Sequence, residues 1–209
     1  MAASPAEIRG KYIVLEGGEG TGKSTQAARL AVSIGARLTR ETGGTAIGQR
    51  IRTILHDTTV ENLSPKAEAL LVAGDRAQHI DEIVRPALIT GRHVVSDRFW
   101  WSTVAYQGFG RNLDVAEILA LTEFATGDCF MPDLVFLLVA GKASLKERMR
   151  GRKLDRFEQE GDDYHELVDT GYEYLMGTYK DLGVLVDTEQ GIERVARQIR
   201  TTCRERLEI

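Results

Sequence analysis

Apolar residues along the chain recur with two spacings, which together predict a series of alternating strands and helices. Compact apolar runs predict strands at residues 11–16, 36–40, 93–97, 134–139 and 184–187. Apolar positions three or four residues apart predict helices at residues 22–34, 46–56, 64–89, 114–126, 144–150, 164–179 and 192–207. Strands that alternate with helices are typical of an α/β fold, in which helices cover both faces of a parallel sheet.

Local signals set the ends of several of these helices. Ser64 followed by Pro65 is typical of an N-cap and a first helical residue, and Asp114 is predicted to cap the helix that follows it. Pro86 should kink or interrupt the long helix, because proline lacks the backbone N–H that a helix interior uses. Segment 151–161 is charged and has no period, so we expect it to be irregular.

Composition restricts the classes of protein that this chain can belong to. Its 209 residues are 43% hydrophobic and contain no Pro/Gly/Ser-rich linker, which predicts one domain over residues 1–209. A net charge of −4 argues against a nucleic-acid partner, since such proteins usually present a basic face. Cys129 and Cys203 lie far apart without metal-type spacing, which is typical of a reducing compartment. No apolar run has the length of a membrane span, and the short polar lead at residues 1–10 lacks the apolar core of a signal peptide. We therefore expect a cytoplasmic protein without a membrane partner.

The first predicted strand leads into a glycine-rich segment whose spacing is typical of a phosphate-binding loop. Residues 17–24 fit the pattern G-x-x-x-x-G-K-[ST], and a predicted helix follows them. In such a loop the glycines let backbone N–H groups wrap a phosphate, the lysine reaches the β- and γ-oxygens, and the hydroxyl binds magnesium. The loop names a ligand class but not a reaction, because switches, motors and kinases all use it. Its predicted ATP-binding residues are Gly17, Gly18, Glu19, Gly20, Thr21, Gly22, Lys23, Ser24 and Thr25.

Two further clusters suggest how a nucleotide could be held. Asp97 and Arg98 follow the third predicted strand, where a carboxylate can hold magnesium and an arginine can meet a second phosphate, although such a pair can also simply cap a strand. Val72 and Arg76 share one face of the long helix, so that an apolar contact to a base and a charge could meet on one ligand. A single helical arginine is otherwise commonly solvated or ion-paired.

A third cluster follows the fourth predicted strand and is unusually rich in arginine for an acidic protein. A mobile basic lid of this kind can close over a transferring phosphoryl group, exclude water and stabilise its charge. The alternative is a solvated run of charges. The basic residues are Arg148, Arg150, Arg152, Lys153 and Arg156.

Six segments, taken in order along nearly the whole chain, resemble the motifs of thymidylate kinases. They also resemble the bacterial type of that family, in which the lid supplies the catalytic arginines, since Gly20 leaves no arginine in the phosphate loop. The segments are EGGEGTGKSTQ at 16–26, TRETGGT at 39–45, DRAQHI at 75–80, DRF at 97–99, STVAYQG at 102–108 and LDRFE at 154–158.

This resemblance implies a P-loop NTPase-type five-stranded parallel sheet flanked by helices on both faces, with a lid at about 150–162. It implies transfer of the γ-phosphoryl of ATP to dTMP, giving dTDP and ADP, with Mg²⁺, usually in a homodimer. The implied catalytic residues are Lys23, Arg98, Arg152, Arg156 and Glu19, with Arg148 beside the adenine. The implied dTMP-binding residues are Glu41, Arg52, Val72, Arg76, Arg98, Thr103, Tyr106 and Gln107, of which Arg76 and Arg98 would grip the phosphate. The implied metal residues are Ser24, Asp97 and Glu41.

The chain departs from the family's pattern at two positions. Thr42 stands where the family usually has proline, and Val72 stands where it usually has an aromatic residue that stacks on thymine. Either Trp100 or Trp101 could re-form that base wall, or each could pack in the core or at a dimer interface. A wider pocket could instead admit a 5-substituted deoxyuridylate. A nucleotide-binding module without catalysis is the remaining alternative.

Overall fold

The computed structural model describes residues 9–129 and 131–209, so most of the predicted polar lead lies outside the described residues. Its centre is a five-stranded parallel sheet in the order β2-β3-β1-β4-β5. The strands are β1 (Tyr12–Glu16), β2 (Arg37–Arg40), β3 (Val94–Asp97), β4 (Leu134–Val139) and β5 (Gly183–Asp187). The α/β class, the five strands and their parallel arrangement are therefore confirmed, with strand ends within a residue of the predicted ones.

Helices lie between the strands, as the apolar spacing predicts. They are α1 (Lys23–Ser33), α2 (Ala46–His56), α3 (Pro65–His79), α4 (Arg85–Ile89), α5 (Trp100–Thr103), α6 (Val115–Thr126), α7 (Lys142–Arg148), α8 (Asp162–Thr178) and α9 (Ile192–Leu207). The two predicted caps are confirmed. Oγ of Ser64 accepts the N–H of Ala67, and a carboxylate oxygen of Asp114 accepts the N–H groups of Ala116 and Glu117. Within the described part of the chain, no helix has the length and apolarity needed to cross a membrane.

Proline interrupts the long third helix, as expected. Between α3 and α4 the chain widens into a π-helical turn, Ile80–Val84, directly before Arg85 and Pro86. A proline ring clashes with the carbonyl of the preceding turn, and a wider turn relieves that clash. The helical run then ends at Gly91, which has a φ of 76°.

Residues 100–110 form a helix that the sequence analysis did not predict. Here α5 continues into a π-helical segment, Val104–Gly110, which packs closely against α8. The sequence places two tryptophans and two glycines in this stretch, and neither type favours a helix. Burial of the segment in the core therefore overrides its weak local propensity.

The sheet has a separate apolar core on each face. Side chains alternate along β1, so that Tyr12 and Val14 pack with α3, α5, α6 and α8, whereas Ile13 and Leu15 pack with α1 and α9. Burial on both faces explains why the central strands are continuous apolar runs. Loops follow the carboxyl ends of β1, β2 and β3, and in parallel sheets of this kind ligands bind beyond those ends.

The turn after β1 depends on Gly17. Its φ is 133°, and a Cβ atom there would lie 2.2 Å from the carbonyl oxygen of Leu138 on the neighbouring strand. Only glycine fits both the backbone conformation and this contact. Gly18, the next residue, has open space at the same position.

We predict that Gly17→Ala lowers the free energy of unfolding by roughly 2–4 kcal/mol, because it adds backbone strain to a steric clash. Gly18→Ala is the matched control and should cost less than about 1 kcal/mol. Urea denaturation of the three proteins measures both values. Equal stabilities for the two variants would contradict the role given to Gly17.

A buried carboxylate on α3 holds the loop that follows β2. Oδ1 of Asp75 accepts the backbone N–H of Gly43 at 2.9 Å, and the side chain is fully buried. Burial, reinforced by the nearby Glu41 carboxylate, raises the pKa of Asp75 to about 6. The folded protein therefore binds this proton more tightly than the unfolded chain does, and it loses stability as pH rises through that range.

Asp75→Asn keeps the acceptor for Gly43 but carries no charge. We expect the variant to gain on the order of 2 kcal/mol of unfolding free energy relative to the parent protein between pH 4 and pH 8. Chemical denaturation across that range measures the difference. Asp81→Asn, a change of an exposed carboxylate on the same helical run, controls for net charge. A stability difference that does not vary with pH would contradict the assignment.

Candidate active site

A cavity of about 420 Å³ lies beyond the carboxyl ends of β1, β2 and β3. It brings together residues from motifs that are far apart in sequence. The predicted residues that line it are Glu19, Gly20, Gly22, Lys23, Ser24, Thr25, Glu41, Arg52, Val72, Arg76, Asp97, Arg98, Thr103, Tyr106, Gln107, Arg148 and Arg152. Gly17, Gly18, Thr21 and Arg156 are the predicted residues that do not line it.

The phosphate loop folds around one of its own carbonyl groups. The ammonium of Lys23 donates to the carbonyl oxygen of Gly18 at 2.6 Å, and the hydroxyl of Thr21 donates to the same oxygen at 2.9 Å. Helix α1 begins at Lys23, so the free N–H groups of its first turn lie beside the cavity. Burial and the neighbouring Arg98 charge lower the pKa of Lys23. The loop therefore concentrates positive charge where an anion would sit.

A hydroxyl and a carboxylate meet at the edge of this loop. Oγ of Ser24 donates a short hydrogen bond to Oδ2 of Asp97, and both residues line the cavity. These two oxygen atoms belong to residues at the start of α1 and the end of β3. Hard oxygen ligands of this kind suit Mg²⁺, which usually takes one or two protein ligands together with substrate phosphates.

Arg98 joins the loop to the opposite wall. It has a φ of 73°, and its guanidinium pairs with Glu19 and lies 5.1 Å from the ring centre of Tyr106. Burial alone would raise the pKa of Glu19, but Arg98 and Lys23 hold it at about 2. The guanidinium also donates to the Gly17 carbonyl oxygen, Ser102 Oγ and Tyr172 Oη at 3.0, 2.9 and 3.1 Å.

A buried ion pair joins Glu41, in the loop after β2, to Arg76 on α3. Nε of Arg76 donates to Glu41 at 2.8 Å, and the two side chains are 1% and 2% exposed. Nδ1 of His79 lies 2.8 Å from the other Glu41 oxygen, and Nη2 of Arg76 donates to Thr103 Oγ1 at 2.8 Å. Burial raises the pKa of Glu41, but Arg76 and His79 outweigh it and keep the pKa below its usual value. Glu41 thus neutralises Arg76 and fixes it beside Thr103.

The apolar wall contains Val72 but neither tryptophan. Val72 is 7% exposed and lines the cavity, together with the rings of Phe99 and Phe157. Trp100 and Trp101 are 0% and 1% exposed and do not line the cavity. They pack in the core, each within 6.2 Å of the ring centre of Tyr179. The hypothesis that an indole re-forms the base wall is therefore wrong, and the alternative of core packing is confirmed.

The lid arginines point in different directions. Arg148 donates to the carbonyl oxygen of Gly20 at 3.3 Å and to Thr188, and Arg152 lines the cavity while pairing with Glu158 at 3.3 Å. Arg156 points away from the cavity. It donates to the Leu55 carbonyl oxygen at 2.8 Å and to Glu68 at 2.7 Å.

The structure therefore does not support the predicted catalytic role of Arg156. Its guanidinium hydrogen-bonds to Leu55 of α2 and Glu68 of α3 and so fastens the lid to these helices. The lid arginine that lines the cavity at this point is Arg152. Sequence could not separate the two, because the direction of a side chain in an irregular segment depends on contacts with distant residues.

Several residues around the site were not singled out by the sequence analysis. Glu16, fully buried at the end of β1, accepts the N–H of Phe99 at 2.8 Å, and burial raises its pKa. An acid that ends an apolar strand directly before a glycine loop is a signal that could have identified it. On the lid side of the cavity, Nδ1 of His56 lies 2.6 Å from Oδ2 of Asp155. Tyr172 and Glu68 support the site from within helices, where no local sequence pattern marks them.

Comparison with known proteins agrees with this geometry. The model of the family described as thymidylate kinase matches residues 15–199. A thymidylate kinase of Lactobacillus helveticus is 40% identical, with 96% of this chain and 98% of that protein covered. One from Gloeobacter violaceus is 43% identical, with 91% and 92% covered.

A solved structure agrees at the level of the fold. The thymidylate kinase of Ehrlichia chaffeensis superposes with a TM-score of 0.77 at 23% identity, over 93% of this chain and 98% of that one. At that identity the likeness concerns architecture alone. The match of the family model over most of the chain, together with relatives at about 40% identity over nearly its full length, shows that the chain belongs to the thymidylate kinase family.

Proposed function

We propose that this chain is a single cytoplasmic kinase domain that transfers the γ-phosphoryl of ATP to dTMP, giving dTDP and ADP, with residues 150–162 as its lid. The observation that carries the proposal is the cavity itself. One wall is a phosphate loop, the opposite wall holds Thr103 and Gln107, and Arg152 of the lid lies at the same cavity. Neither a 5-substituted deoxyuridylate as preferred acceptor nor a non-catalytic module is favoured, given the family and these charged groups.

On the donor side, the loop and Lys23 would hold the ATP phosphates. The first-turn N–H groups of α1 and the Lys23 ammonium supply positive charge to the β- and γ-oxygens. Arg148 donates to Gly20 of the loop and to Thr188, which places it at the outer end of the loop, where it can flank the adenine.

Magnesium would be held by Ser24 and Asp97. Their hydroxyl and carboxylate oxygens fit this ion, and bound Mg²⁺ would neutralise charge on the ATP phosphates. Glu41 is also predicted as a metal residue, but its two oxygens are engaged by Arg76 and His79. We therefore assign Glu41 to fixing Arg76.

On the side of the cavity that would hold the acceptor, we assign Arg98 and Arg76 to different parts of dTMP. Arg98 lines the cavity and pairs with Glu19 of the phosphate loop, so we assign it to the dTMP phosphate, with Arg52 lining the same cavity. Arg76 bonds to Thr103, which suits contact with an oxygen of the base better than the predicted grip on phosphate. The other proposed contacts are Val72 and Gln107 to the base, Tyr106 to the sugar ring and Glu19 near its 3′-hydroxyl.

Catalysis would then rest on position and charge alone. Phosphoryl transfer needs no protein nucleophile, because the acceptor phosphate attacks directly. Lys23, Arg98 and Arg152 surround the place where charge develops, and most of this arrangement is fixed before the substrates bind. Arg152 is the most exposed of the three, with a side chain that is 53% exposed.

Arg152→Gln should lower kcat for dTMP about 100-fold or more, because it removes a charge that faces the transferring group. Coupled ADP release with ATP, Mg²⁺ and dTMP measures the rate. Arg150→Gln is the matched control. Arg150 also lies in the lid segment but is 78% exposed and pairs with Glu147, so we expect a change of less than about threefold. Equal rates in the two variants would remove Arg152 from catalysis.

We also propose that the protein is a homodimer. Helix α3 packs against both α2 and α6, and these helices carry exposed apolar side chains, with Leu70 60% and Phe124 90% exposed. Exposed apolar side chains on neighbouring helices would be covered if a second copy packed the same helices against them about a twofold axis.

Phe124→Glu should convert the dimer to a monomer, because it would place a charge in the proposed interface. Size-exclusion chromatography with light scattering measures the mass. Val32→Glu changes a side chain that is 86% exposed on α1, outside this face, and should leave the mass unchanged. A monomeric parent protein, or a dimeric Phe124→Glu variant, would refute the interface.

A further inference from the structure

Glu68 on α3 is a fully buried carboxylate that lies behind the cavity and does not line it. It is bound from three directions. Oε1 accepts from Nε2 of Gln107 at 2.8 Å and from Nε of Arg111 at 3.3 Å. Oε2 accepts from Nη2 of Arg156 at 2.7 Å. Burying a carboxylate costs free energy unless its hydrogen bonds and ion pairs offset the loss of hydration.

The first bond fixes how Gln107 presents itself to a ligand. A side-chain amide has a donor end and an acceptor end of nearly equal shape, and a carboxylate only accepts hydrogen bonds. Glu68 therefore holds the NH₂ end of Gln107, and the carbonyl oxygen is the end left for the cavity that Gln107 lines. An acceptor there pairs with the N3–H of thymine, whereas cytosine has no hydrogen at N3.

The third bond joins the same carboxylate to the lid. Arg156 lies in the lid and Arg111 in the body of the protein, and a lid acid, Glu160, pairs with Arg111 at 2.6 Å. The lid is thus fastened by two crossed ion pairs, Arg156 to Glu68 and Glu160 to Arg111. Glu68 is shared between this fastening and the amide of Gln107.

We propose that Glu68 is a positioning residue that selects the acceptor base by fixing the orientation of Gln107, and that it couples this choice to lid closure through Arg156. The inference rests on the proposed function. The three contacts share one rigid carboxylate, so that loss of its charge frees the amide and releases the lid together. Arg156 alone would affect only the lid.

The test compares kcat and KM for dTMP and dCMP in Glu68→Gln, Glu68→Asp, Arg156→Gln and the double variant Glu68→Gln/Arg156→Gln. Glu82→Gln, which changes an exposed acid on the same helical run, is the control. Thermal melting of each variant checks folding. In Glu68→Gln the dTMP to dCMP ratio of kcat/KM should fall about 10-fold or more, since a glutamine at this position can bind either end of the amide.

Glu68→Asp retains an acceptor-only group, so its selectivity should stay within about threefold of the parent value even if kcat falls. Arg156→Gln should lower kcat with both acceptors and keep the selectivity. Both single changes break the Glu68–Arg156 contact, so the losses in kcat should not multiply in the double variant, which loses only the Arg156 bond to the Leu55 carbonyl oxygen beyond those lost in Glu68→Gln. The proposal is overturned if Glu68→Gln keeps the parent selectivity, if Glu68→Asp loses as much, or if the losses in kcat multiply. A parent protein without dTMP kinase activity would instead refute the proposed function.

Discussion

The site depends on a partly buried positive charge, the guanidinium of Arg98, at the end of β3. Burial disfavours the guanidinium of Arg98, yet Tyr106, Glu19 and Tyr172 outweigh that effect and keep its pKa above the usual value. An uncompensated charge at this depth would cost several kcal/mol, so each partner has to stay in place. Through these bonds Arg98 ties the phosphate loop to α5 and α8. These bonds hold the phosphate loop in place against α5 and α8 before a nucleotide binds.

The same rule, a charge held by an opposite charge, organises the rest of the cavity. Glu41 neutralises Arg76 on the acceptor side, and Glu68 neutralises Arg156 and Arg111 behind it. Each pair fixes the direction of a side chain and leaves little net charge in the core. Among the described residues Lys23 forms no ion pair with an acid, and Arg152 pairs with Glu158 but keeps a side chain that is 53% exposed, so these two cations are the ones best placed to respond to a polyphosphate. The walls of the site are therefore preorganised by paired charges, and Arg152 of the lid is the cation most open to solvent.

Features encoded by neighbouring residues were predictable from sequence. The phosphate loop is continuous, the central strands are apolar throughout because helices cover both faces, and Pro86 interrupts its helix for a local chemical reason. Placing Asp97 and Arg98 at the cavity needed only the rule that strands of a parallel sheet end at one edge.

Features that depend on distant contacts were not predictable. Residues 100–110 are helical because burial in the core outweighs their weak local helix propensity. Trp100 and Trp101 are core residues although they follow a site motif directly in sequence. The direction of Arg156 is set by Glu68, which lies 88 residues away along the chain. Glu68 itself is a lone acid within a helix, and such an acid is normally solvated. Neither spacing nor composition distinguishes these cases.

The reaction proposed for this protein is transfer of the γ-phosphoryl group of ATP to dTMP. The most direct measurement is kcat/KM for ADP release with ATP and Mg²⁺, using dTMP, dUMP, 5-hydroxymethyl-dUMP and dCMP as separate acceptors. We expect the highest value for dTMP and the lowest for dCMP, because in the proposed binding mode a thymine-type base presents N3–H to the amide oxygen of Gln107, whereas cytosine has no hydrogen at N3. ADP release that does not depend on any acceptor, or a preference for dCMP, would contradict it.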